Sequence, residues 1–76
     1  MYVSVRNGVV VNTVYDNTIG GGISYVGYAK QGTAQTEAGW TVQKIDESVT
    51  NSTVITAAVG GEFGAIWTNR TSLTYN

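Results

Sequence analysis

With 76 residues and neither cysteine nor histidine, the chain excludes disulfides, thiolate metal sites and the side chain that most often serves as a base near neutral pH. Only 12% of its residues are charged and the formal net charge is -1, so nothing makes a basic stripe for the phosphates of a nucleic acid. A chain of this size buries only about 60% of the surface it exposes when unfolded, and association with other subunits is the usual reinforcement left open to it.

Tyr2–Arg6 and residues 9–15 are β-branched or aromatic runs, which predicts two strands. Asn7-Gly8 joins them as a hairpin turn, because a type I′ turn needs positive φ at both central residues. Asp16-Asn17-Thr18 makes a polar break, and Gly20-Gly21-Gly22 suits a hinge or a close backbone approach. Residues 1–16 therefore read as a hairpin arm, 17–22 as its hinge and 23–76 as a β domain, all within one domain of residues 1–76.

Ile23–Lys30 is a third strand, with Tyr25 and Tyr28 on opposite faces by alternation. Residues 31–39 are small and polar, a surface loop. Residues 40–45 form a fourth strand with Trp40, Val42 and Lys44 on one face and Thr41, Gln43 and Ile45 on the other. Asn51-Ser52 turns the chain into a fifth strand over 53–59, which Gly60-Gly61 ends. Phe63, Ile66, Trp67 and Arg70 then fall at the spacing of one helix face, predicting a helix of at most two turns with Gly64 weakening it. Residues 71–75 are a final extended segment. The predicted fold is mainly β: a small antiparallel sheet or sandwich with an N-terminal hairpin and one short C-terminal helix.

Little chemistry is on offer. Asp46 and Glu47 are neighbours that point apart on a strand or are solvated on a turn. Glycoside hydrolysis needs two carboxylates about 5 to 10 Å apart across a cleft, and nothing in the sequence brings Asp16 to Glu37 or Glu62. No Ser-x-x-Lys spacing supplies a base for a serine. The glycine triplet lacks the Lys-Ser/Thr and the helix of a phosphate loop. No catalytic residue, cofactor or metal is expected, and no apolar run approaches the ~20 residues of a membrane helix. The first residues do not form a charged and then apolar leader, so the chain is expected to stay in the cytoplasm that makes it. Trp40, Phe63, Ile66, Trp67 and Tyr75 are assigned to core or a subunit interface, which draw on the same residue types. Tyr25, Tyr28 and Arg70 are candidate partner contacts, with Glu62 or a neighbour's carboxylate as the partner of Arg70.

Two stretches resemble small proteins encoded among the virion genes of tailed double-stranded DNA phages. Tyr25-Val26-Gly27-Tyr28-Ala29, Gly32-Thr33-Ala34 and Trp40-x-Val42-x-Lys44-Ile45 resemble their opening. Phe63-x-x-Ile66-Trp67-x-Asn69-Arg70-x-Ser72-Leu73-Thr74-Tyr75 resembles their ending, a Phe-Asp-Asn-Ile-Trp-Asp-x-Arg pattern before Ala-Ser-Leu-Thr-Tyr. The resemblance spans residues 25–75, about two-thirds of the chain. It departs where an acidic stretch usually precedes the Phe and where Gln31 replaces a proline. It implies a non-enzymatic structural protein of the virion, present in many copies or as a homo-oligomer, that contacts the major capsid protein or other virion proteins. Capsid decoration or cement is the leading role. A neck, tail or fibre part is the alternative, including a module that binds a receptor or carbohydrate through exposed, co-facial aromatics. Neither nucleic acid nor membrane is expected as a partner.

Overall fold

The computed structural model describes residues 2–6, 9–59 and 63–76, with side chains from Val10 onward. Strands β1 (Tyr2–Arg6), β2 (Val9–Gly20), β3 (Ile23–Lys30), β4 (Ala38–Asp46), β5 (Val54–Ala57) and β6 (Ala65–Ile66) form one antiparallel sheet. The first five follow one another across it, and β6 pairs with β4. Because β3 occupies one edge of β4 from Trp40 to Asp46, β5 and β6 share the other, β5 against residues 43–46 and β6 against residues 38–40.

Register decides which side chains share a face. Val14 lies opposite Gly27, which lies opposite Val42; Asn12, Ala29 and Trp40 form the next row, and Asp16, Tyr25 and Lys44 the row on the other side. This face carries the core of Val14, Tyr25, Ala29, Trp40 and Val42. The C-terminal segment covers it with Ala65, Trp67, Leu73 and Tyr75. Gly27 sits under the two indoles, whose centroids are 6.1 Å apart. Any side chain there would meet Trp67 Cε3 at 2.5 Å. A strand glycine is thus the space into which Trp67 packs.

Mostly β architecture is what the strand runs predict, and the alternation expected for Tyr25 and Tyr28 and for residues 40–45 is present. Three details differ. First, β2 does not stop at Tyr15 but reaches Gly20, because Asn17, Thr18 and Ile19 bulge opposite Ser24 alone. Its residues 11–16 pair with β3 and Val11 is fully buried, so residues 9–16 belong to the sheet and are not part of an arm. Second, the glycine triplet is the β2–β3 turn. All three residues have positive φ, and a Cβ on Gly22 would lie 2.8 Å from the backbone of Ser48, the close approach that glycine permits. Third, the helix expected over residues 63–70 shrinks to a single 3₁₀ turn, Trp67–Asn69. Phe63 is left-handed with φ 58 and Ala65–Ile66 is captured by β4, so the pairing overrides the helical spacing. The predicted Asn7-Gly8 turn lies outside the described residues.

Candidate functional site

Three surfaces surround the core: a groove beside β2, the second sheet face, and the β5 edge. The groove owes its shape to one ion pair. Arg70 Nε and Nη2 each lie 2.8 Å from Asp16 Oδ2. The other carboxylate oxygen of Asp16 accepts the backbone N–H of Thr18 at 2.9 Å and its hydroxyl at 2.6 Å. The guanidinium lies 4.6 Å from the Trp67 ring centroid, and Tyr75 donates its hydroxyl to the Arg70 carbonyl at 2.7 Å. Bonds from Thr18, and then from Arg70, hold the Asp16 carboxyl below its ordinary pKa against the opposing effect of burial.

Among the described residues β1 pairs with β2 as far as Thr13. Beyond it lies a groove of about 450 Å³ lined by Thr13, Val14, Tyr15, Asp16, Gln35, Trp67 and Arg70. Four consecutive strand residues cannot line a cavity from one face, since alternate side chains point apart. The groove therefore runs along the strand edge, walled on its far side by Gln35, Trp67 and Arg70.

On the second sheet face stand Tyr15, Val26, Tyr28, Thr41, Gln43, Ile45 and Ile55. Exposure is uneven across this face: Tyr15 is 52% exposed and Ile55 59%, Val26, Tyr28, Thr41, Gln43 and Ile45 are half-buried, and Val11 and Ser24 on the same face are buried. At one end the Phe63 backbone N–H donates to Thr41 Oγ1 at 2.9 Å. The Lys30 ammonium lies 5.9 Å from the Phe63 ring. The third surface is the β5 side, where Val49, Val54, Ile55 and Val59 are all exposed. The C-terminal residues pair along part of this edge, with Asn76 N–H to the Ala57 carbonyl and Val59 N–H to that of Thr74.

Of the residues assigned to core or interface, Trp40 and Trp67 are buried core, and Tyr75 is half-buried against it. Trp40 donates its indole N–H to the Ala34 carbonyl at 2.9 Å. Phe63 and Ile66 are half-buried. Among the partner candidates Tyr28 lies half-buried on the second sheet face. Tyr25 is corrected: it is buried, its ring 5.8 Å from that of Tyr75. Arg70 is corrected too, since its partner is Asp16 of the same chain, while Glu62 lies outside the described residues. Sequence reasoning missed Asp16 and Tyr15. The Asp-x-Thr spacing carried a signal, because an aspartate bonding two residues on is a turn and bulge device. Nothing local pointed to Arg70.

Among the described residues no group of three or more His, Cys, Asp or Glu stands together to hold a metal, and no helix is long and apolar enough to cross a membrane. Comparison with family models, curated proteins and solved structures finds nothing that matches this chain.

Proposed function

We infer that the protein is a non-enzymatic structural subunit of a phage particle, and that its role is capsid decoration or cement. The observation that supports this most is the exposed apolar set Val49, Val54, Ile55 and Val59 on β5 and its flanks. A single layer this small gains by burying such surface against neighbours. An uncharged outer strand without Lys or Pro also lacks the usual barrier to docking at a sheet edge. The resemblance of residues 25–75 to small virion proteins points the same way. Attachment through the β5 side predicts that Ile55→Lys and Val54→Lys abolish binding to purified capsids while the circular dichroism spectrum is retained. Unchanged binding by both folded variants would count against this surface.

A further inference from the structure

We propose that the second sheet face is where two copies of this chain pack together, each copy supplying a layer to the other. The inference stands on the charge pattern of that face and does not depend on particle attachment. Register sets Tyr15, Val26, Gln43 and Ala57 in one row across β2 to β5, and Ser24, Ile45 and Ile55 in the next. Neither row holds a charged side chain. Among the described residues, Asp16, Lys44 and Asp46 alternate onto the opposite, core face, and Glu37, Glu47 and Arg70 lie outside the strands. Lys30 stands at one end of the face, its ammonium 5.9 Å from the Phe63 ring. A twofold dimer sets a patch against its own copy, so a net charge there would repel itself; an uncharged patch meets that condition. A partner of opposite charge would find nothing here to steer or register it.

Geometry suits the same partner. β2 and β5 flank β3 and β4, so the exposed side chains Tyr15 and Ile55 stand on opposite sides of the face, with half-buried Val26, Gln43 and Ile45 between them. A twofold axis running along the strands, between β3 and β4, brings the Tyr15 side of one copy over β5 of the other. Twisted sheets stack in this way, about 10 Å apart and within about 30° of alignment. The aromatic ring then packs on the partner's isoleucine, its hydroxyl left at the wet rim. Gln43 falls close to the axis. Four strands about 4.8 Å apart and three rows about 6.7 Å apart give a face of about 400 Å² in projection. Covering it on both copies reaches the low end of specific interfaces, about 1,000 Å² in total, which fits a weak dimer. Burial of that area is also the reinforcement a chain of this length lacks.

The test is sedimentation velocity of the full chain from about 10 μM to about 1 mM, where a weak dimer should build up. Ile55 also belongs to the β5 side, so the charged variants are placed one strand in. Gln43→Glu and Gln43→Lys, each checked for fold by circular dichroism, should weaken self-association at least about tenfold, because like charges then meet near the axis. An equimolar mixture of the two should recover it. Isotope-filtered spectra of a half-labelled sample should show the Tyr15 ring against the Ile55 methyls between copies. A monomer throughout the range overturns the proposal. So does self-association unchanged in both variants, a mixture that recovers nothing, or contacts between copies that run through Val54 and Val59 along the β5 edge. A monomer whose folded Tyr15→Ser variant no longer attaches to purified capsids would give the face to a different partner.

Discussion

Arg70 and Asp16 stand 54 positions apart in the chain, yet the guanidinium closes on the carboxylate with two contacts of 2.8 Å. The pair ties the C-terminal cover to the middle of β2, and it does so beside the groove. Asp16→Asn keeps the shape and removes the charge. It should lower stability at neutral pH by about 1.5 to 3 kcal/mol in urea unfolding, the range for a hydrogen bond to a charged group.

The same carboxylate sets an acid limit. Its pKa is lowered in the folded chain, first by the Thr18 hydroxyl and backbone bonds and then by Arg70. A lowered folded value means that the stabilisation is present above the unfolded pKa of about 4 and fades as pH falls below it. Thermal melts between neutral pH and about pH 3 should show a falling midpoint, and Asp16→Asn should flatten that fall. An identical acid dependence in the variant would remove Asp16 from the explanation.

At the alkaline end Tyr75 takes over. Burial pushes its hydroxyl up to about 12, and that hydroxyl donates to the Arg70 carbonyl. Since the folded value lies above the ordinary value of 10, the contribution is whole below pH 10 and disappears as pH rises through about 12. Spectrophotometric titration should show one late-ionising tyrosine that is absent from Tyr75→Phe.

Gly27→Ala is the sharpest test of the core. Its methyl would lie 2.5 Å from Trp67 Cε3 and 3.2 Å from Trp40 Cε3, so both indoles must move. Overpacking of this kind costs about 1 to 3 kcal/mol. Both indoles are also buried, so aqueous iodide should scarcely quench their fluorescence until the chain is denatured.

Residues 1–16 read from sequence as a hairpin arm, but residues 11–16 pair with β3, so deleting the segment should cost more than an arm. Such a deletion removes Val11, Val14 and Asp16 from the sheet. The remainder, residues 17–76, should lose its cooperative unfolding transition in urea. A folded remainder would restore the arm.

Strands were legible because β-branched and aromatic runs alternate as a half-covered sheet demands, and the glycine triplet marked a turn that only glycine can make. The error at Phe63, Ile66, Trp67 and Arg70 has a physical source. Helical spacing is a local signal, whereas capture of Ala65–Ile66 by β4 is a pairing with residues far away in sequence. Tyr25 and Tyr28 were correctly placed on opposite faces, but alternation does not say which face the C-terminal segment covers. The Asp16–Arg70 pair and the groove beside it arise only when chain ends meet, and no window of sequence contains both.

Copy number tests the central reading most directly. On the proposed virion role, quantitative mass spectrometry of purified particles from the source should find the chain in fixed, high-copy ratio to the major capsid protein. A few copies per particle would contradict decoration and move the chain to neck, tail or fibre, and its absence from the particle would contradict a virion role altogether.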